Sequence, residues 1–221
     1  MLLPCIEHET GRDPHHAVIW LHGLGADGND FAPIVPELID ADWPPLRFVF
    51  PHAPVRPITI NGGMTMRAWY DISGMEIAQR QDEAGIRTSN GQVAELIERE
   101  VARGVPTGNI FLAGFSQGGA IVLSGGIRHA QRLGGIVALS TYLPMAEKTD
   151  AEASAANRDV PIFMAHGMLD PTISHALGEM SREYLKQRGY AVEWHDYPMA
   201  HQVCMEEIAD LRKWMSARLP G

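Results

Sequence analysis

Cysteine is scarce in this 221-residue chain, with Cys5 and Cys204 the only two. Two cysteines do not make a disulfide framework, so a reducing compartment, the cytoplasm, is the simplest setting. Each suits a small buried apolar position. Basic residues are in deficit as well. Eighteen Lys and Arg face 27 Asp and Glu, which leaves a net charge of −9. No basic cluster interrupts that balance, and this argues against nucleic acid or an anionic membrane as partner. Long apolar runs are missing. Stretches such as residues 135–139 are far too short to span a bilayer, so stable membrane insertion is not expected. Residues 1–8 lack a positive segment followed by an apolar one, so no secretory signal is read there. His-Glu-x-x-His and Cys-x-x-Cys spacings are also missing. His22, His166, Asp170 and His201 could gather as ligands, but nothing in their spacing supports a metal. No repeat, low-complexity tract or linker divides the chain, and residues 1–221 read as one domain.

What is present is a hydrophobic content of 45%, enough for a sizeable core, arranged in alternating elements. Residues 17–21, 110–115, 135–140 and 161–165 are short continuous apolar runs, the pattern of strands buried on both faces. Residues 2–8, 47–51 and 191–197 read as further strands, the first at an edge because of Pro4. Helices are expected over residues 30–39, 89–103 and 116–131, before Gly189, and at the end around Ile208, Leu211, Trp214 and Met215. This alternation predicts an α/β fold with a mainly parallel central sheet and helices on both faces. Active sites of such sheets lie at the carboxyl ends of the strands. The polar residues there are His22, Ser116, Asp170 and His201.

The stretch Ile110-Phe111-Leu112-Ala113-Gly114-Phe115-Ser116-Gln117-Gly118-Gly119-Ala120 is a strand, a sharp turn and the start of a helix. Its turn spells Gly-x-Ser-x-Gly, the nucleophile elbow of α/β-hydrolases. Serine is a weak nucleophile and must be held exposed beside a base. Downstream, Asp170 follows one strand and His201 follows the last. That is the Ser, acid, His order of an α/β-hydrolase triad. His201 would take the Ser116 proton, and Asp170 would fix the imidazole. Taken singly, Asp170 could be a turn-former before Pro171, and His201 a surface histidine. The amides of Gln117, after the nucleophile, and Leu24, after an early strand, are the candidate oxyanion donors.

A rival reading sits in the same early loop. Gly23-Leu24-Gly25-Ala26-Asp27-Gly28 matches the dinucleotide fingerprint Gly-x-Gly-x-x-Gly. The second strand ends Phe50-Pro51-His52-Ala53-Pro54, without the acid that a ribose hydroxyl needs. A nucleotide-binding oxidoreductase is therefore a remote alternative. So is a non-catalytic acyl-binding protein. Residues 51–87 read as a long irregular stretch, and a loop of that length in a compact domain is usually functional. Residues 140–161 leave no room for a large helical cap, so the site should be an open apolar groove. Trp69, Met75 and Leu143 are its candidate substrate contacts, although core packing beside the sheet is the favoured role for Trp69.

Five segments resemble the small carboxylesterases and acyl-protein thioesterases, the phospholipase/carboxylesterase family of α/β-hydrolases. They are Leu21-His22-Gly23-Leu24-Gly25, Met66-Arg67-Ala68-Trp69-Tyr70-Asp71, Gly114-Phe115-Ser116-Gln117-Gly118-Gly119-Ala120, His166-Gly167 with Asp170, and His201 with Cys204. The resemblance implies a Ser116–His201–Asp170 triad with Leu24 and Gln117 as oxyanion donors. It implies cleavage of carboxylic ester or thioester bonds in a small-molecule or acylated substrate, without a cofactor. The alternative main activity is that of an acyl-protein thioesterase or lysophospholipase. It also implies frequent homodimers, for which the Met-rich stretch offers a contact surface. The chain departs from its relatives at Pro171-Thr172-Ile173-Ser174, often Pro-Val-Val-Pro, and at Tyr142, often Trp.

Overall fold

In a computed structural model, residues 2–74 and 81–219 are described. Seven strands form the central sheet: β1 (Cys5–Glu9), β2 (His16–Leu21), β3 (Leu46–Pro51), β6 (Ile110–Phe115), β7 (Gly135–Leu139), β8 (Ile162–Gly167) and β9 (Val192–Tyr197). Two more, β4 (Val55–Ile58) and β5 (Met64–Arg67), make a separate hairpin. The sheet order is β1-β3-β2-β6-β7-β8-β9. β1 runs antiparallel to β3, and all other pairings are parallel. β2, β7 and β8 are buried from end to end, as continuous apolar runs require in a sheet covered on both sides.

Helices cover both faces. α2 (Glu83–Ala102), α3 (Gln117–Arg128) and α5 (His175–Gln187) pack on one, through residues such as Val93, Leu96, Ile121 and Leu185. α1 (Val35–Leu38) and α6 (Met205–Ser216) pack on the other, through Leu38, Ile208, Leu211 and Met215. Between β7 and β8 the only helical pieces are 3₁₀ turns and the four-residue α4 (Thr149–Glu152), so no large cap is built there. Among the described residues no helix is long and apolar enough to cross a membrane.

Three elements differ from expectation. The helix expected over 30–39 is a 3₁₀ turn, Ala32–Ile34, followed by the single turn of α1. Pro33 and Pro36 each remove a backbone donor and stop a longer helix. α2 starts six residues before the expected 89. The Asp82 carboxylate accepts the Gly85 amide at 2.9 Å and caps it there. The stretch read as irregular contains the β4–β5 hairpin. Its turn uses Gly62 and Gly63, both at positive φ, where glycine carries no Cβ penalty.

One buried group carries a pH-dependent cost. Glu207, in the first turn of α6, is fully buried, and neither carboxylate oxygen meets a donor at bonding geometry among the described residues. Burial pushes its pKa up to about 8, with only partial opposition from the Cys204 backbone. The folded state therefore holds a proton that the unfolded chain releases near 4.5. Stability should fall as pH rises from the unfolded value through the folded one, and stay low above it. Glu207→Gln should raise Tm at pH 9 by roughly 5 °C and change it little at pH 4.5. Thermal melts at the two pH values check this. Equal shifts at both would show that the carboxylate charge is not the cause.

Candidate active site

The site is built where β6 turns into α3. Ser116 stands at the junction with φ 55° and ψ −120°, a conformation uncommon for a residue with a side chain. Its amide donates to Leu139 on β7 at 2.9 Å. Its carbonyl accepts from Ala120 at 3.1 Å and from the Thr141 hydroxyl at 2.7 Å. The turn is tight enough that a Cβ on Gly114 would lie 2.5 Å from the Gly118 backbone. That crowding explains the glycine of the motif. The strain at Ser116 is sustained because β6, β7 and α3 over-determine its position.

Two other strand ends meet this serine. Ser116 Oγ lies 2.8 Å from His201 Nε2, and His201 Nδ1 lies 2.7 Å from Asp170 Oδ2. Asp170 comes from the turn after β8, and its other oxygen accepts the Thr172 and Ile173 amides at 2.8 and 2.9 Å. The turn-forming role and the His201 contact are thus carried by different oxygens of one carboxylate. His201 packs on Phe115 with ring centroids 4.8 Å apart. The imidazole is held by a carboxylate on one nitrogen and faces the hydroxyl with the other, the arrangement that general-base activation of serine requires.

The Leu24 and Gln117 amides donate to no protein acceptor among the described residues. Gly23 lies against the nucleophile, since a Cβ there would be 3.4 Å from Ser116 Cβ. The Gln117 side chain has its own task. Its carbonyl accepts the Trp69 amide at 2.8 Å, and its amide donates to the Tyr70 carbonyl at 2.7 Å. This ties the segment after β5 to the head of α3.

Of the candidate substrate contacts, Trp69 takes the core role favoured for it, and Leu143 is corrected. Trp69 is 0% exposed, with its indole N–H donating to the His22 carbonyl at 2.9 Å and its own carbonyl accepting the Ser89 hydroxyl. It is a strut between segments, the core role weighed above, because its indole has a polar partner and an apolar bed inside the fold. Leu143 is 4% exposed and sits in the core beneath α5, its backbone N–H donating to Ser181 Oγ at 2.9 Å. Met75 lies outside the described residues. Exposed apolar side chains include Val55, Ile60 and Met64 of the hairpin and Met168 and Leu169 just before Asp170, with Leu169 71% exposed.

Two residues were not singled out as supports. His166, on β8, is buried beneath Asp170, with Nε2 2.9 Å from the Ile173 carbonyl and 3.4 Å from Asp170 Oδ2. Burial pushes its pKa down. Tyr142 pairs its hydroxyl with that of Tyr70 at 3.0 Å, and burial pushes it up to about 12. For His166 the signals are its strand-end position and its place in the His166-Gly167 segment. Tyr142 stands out in the sequence only as a departure from the relatives' Trp, and its pairing with Tyr70, 72 residues away, is not legible there.

The dinucleotide reading finds no support in the glycine loop. A Cβ on Gly28 would collide with the Phe50 carbonyl, so this glycine serves the contact between two loops. The following helical pieces are too short to present the long helix that opens on a pyrophosphate. Among the described residues no three His, Cys, Asp or Glu side chains stand together as metal ligands.

Comparison with known proteins places the whole chain in one family. The phospholipase/carboxylesterase family profile matches residues 4–219. Acyl-protein thioesterase 1 of Neurospora crassa is 38% identical, covering 100% of this chain and 91% of its own. The Yarrowia lipolytica protein of the same name is 37% identical, covering 91% of each. Arabidopsis thaliana SOBER1 superposes with a TM-score of 0.87 at 28% identity, over 92% of this chain and 98% of its own. Zea mays acyl-protein thioesterase 2 gives 0.84 at 27% identity, over 96% and 98%. On a match spanning nearly every residue, the chain belongs to the phospholipase/carboxylesterase family of α/β-hydrolases and is a serine hydrolase of the carboxylesterase and thioesterase kind.

Proposed function

We propose that Ser116, His201 and Asp170 form the catalytic triad of a single-domain cytoplasmic hydrolase whose substrates are fatty-acyl thioesters and esters. The observation that carries this is the continuous relay from hydroxyl to imidazole to carboxylate, at 2.8 and 2.7 Å. Ser116 Oγ attacks the acyl carbonyl while His201 Nε2 takes its proton. The charge that develops on the carbonyl oxygen faces the Leu24 and Gln117 amides, assisted by the N-terminus of α3. The tetrahedral species collapses, and His201 returns the proton to the departing thiol or alcohol. Water, deprotonated by the same imidazole, then releases the acid and restores Ser116.

The long-chain acyl preference draws on two supports. The relatives named above are acyl-protein thioesterases. The exposed Met168 and Leu169 beside Asp170 offer apolar surface that a short acetyl group would not use. A palmitoylated peptide thioester should therefore show a kcat/KM at least about tenfold above an acetyl ester, because each buried methylene adds to binding. Equal values would remove the long-chain reading. Labelling with a serine-directed phosphonate, followed by peptide mapping, should place one adduct on Ser116. An adduct elsewhere, or none, would overturn the triad assignment.

A further inference from the structure

We infer that His22 is a positioning residue for catalysis, because its imidazole sets the direction of the Leu24 oxyanion donor. The inference rests on the hydrolase reading above. The Gly23 carbonyl and the Leu24 N–H belong to one peptide unit. In a planar trans peptide these two groups point in opposite directions. Whatever holds the carbonyl therefore aims the amide.

His22 Nδ1 lies 2.7 Å from the Gly23 carbonyl. The Ala26 amide is a second donor to that oxygen, at 3.3 Å. The other imidazole nitrogen fixes the tautomer. Ala53 donates its backbone N–H to His22 Nε2 at 3.0 Å, so Nε2 must be the unprotonated acceptor. Nδ1 is then the N–H donor to Gly23. Burial favours the neutral ring. The backbone of His22 is pinned separately, its carbonyl accepting the Trp69 indole at 2.9 Å. The next residue, Gly23, lies against Ser116. The ring is thus anchored from the loop after β3, and it turns a peptide unit whose far side is the candidate oxyanion donor. A donor fixed before reaction costs no reorganisation when the charge appears.

Two substitutions separate the two nitrogens. In His22→Asn the side-chain amide can stand where Nδ1 stands and keep the bond to Gly23. In His22→Gln the longer side chain reaches the Nε2 position and keeps the bond to Ala53. Each loses one buried hydrogen bond, so a merely structural role predicts equal behaviour. The inference predicts that H22Q lowers kcat by about 10²-fold, with KM changed less than about threefold, as for loss of an oxyanion donor. Affinity for a trifluoromethyl ketone, which forms a tetrahedral oxyanion, should fall in parallel. H22N should recover at least about tenfold of the lost turnover, all rates being expressed per phosphonate-titrated site.

Equal kcat in H22N and H22Q, high or low, would overturn the inference. An independent measurement needs no variant. Imidazole ¹⁵N shifts of the wild-type protein should show His22 protonated on Nδ1, and protonation on Nε2 would also overturn it. Failure here is distinguishable from failure of the hydrolase reading. A Ser116→Ala protein that still turned over would sink the latter, whereas inactive S116A beside fully active H22Q would sink only the role of His22.

Discussion

Ser116→Ala should lower kcat by a factor of about 10³ to 10⁶ and leave the fold intact. The size follows from what one oxygen does. In the proposed mechanism it forms the covalent bond to the acyl group, and without it the imidazole of His201 has no hydroxyl to deprotonate. On that proposal Ser116, His201 and Asp170 work as a unit, so loss of one member removes most of what the three achieve together. What remains is attack by water in a site that still offers the Leu24 and Gln117 amides. Stability should change little. The Ser116 amide and carbonyl keep their bonds to Leu139, Ala120 and Thr141, and only the 2.8 Å contact to His201 is lost. Active-site-independent measurements, circular dichroism and Tm, would establish the fold, and initial rates the activity. A folded S116A protein with wild-type turnover would exclude Ser116 from the mechanism.

The largest stability effect is expected far from that site, at the other end of the sheet. Glu100, in the last turns of α2, is 0% exposed. One oxygen bonds Arg47 at 2.8 Å, and the other takes Arg99 at 2.8 Å and Arg103 at 3.1 Å. Arg47, at the start of β3, has a side chain only 8% exposed and shares Glu9 at 2.8 Å as its second partner. Arg99 and Arg103 reach water, so they can rehydrate if Glu100 is removed. Arg47 cannot. Glu100→Ala leaves its guanidinium charge buried and half paired, which should cost about 3–5 kcal/mol. For a chain of this size Tm would drop by roughly 6–20 °C. The double variant Arg47→Met/Glu100→Leu should recover most of that loss, because neither charge then has to be desolvated. Calorimetric melts of the three proteins decide it. An E100A protein melting with the wild type would mean that water reaches Arg47 and that the cluster is ornamental. Folded E100A should retain wild-type kcat, since no group of this cluster touches the Ser116 relay.

Much of this molecule is legible in the order of its residues, and the errors have identifiable causes. The buried strands were readable because a sheet covered on both sides needs unbroken apolar runs, and such runs are local. The elbow was readable for the same reason, since Gly114, Ser116 and Gly118 specify one turn by themselves. The hairpin β4–β5 was not, because Pro54, Pro57, Gly62 and Gly63 break every period, and only pairing between the two strands makes them regular. Leu143 reads as a groove residue, and Trp69 admits both roles, because a hydrophobic residue near a strand end suits a binding surface and a core equally well. Hydropathy does not say which side of a loop faces inward. That depends on partners such as the His22 carbonyl and the Gln117 side chain, 47 and 48 residues from Trp69.

The amino-acid order alone determined the alternation of strands and helices, and hence the sheet edge where polar residues would collect. It also determined which serine, aspartate and histidine stood at that edge, because each lies just past an apolar run. Only the folded chain decided how they meet. The 2.8 and 2.7 Å contacts join residues 85 and 31 positions apart, and the His22 ring that bonds the Gly23 carbonyl is itself held by the Ala53 amide, 31 positions away. Local propensity acts over a few residues, whereas a hydrogen bond needs placement to a few tenths of an ångström, which packing of the whole sheet supplies.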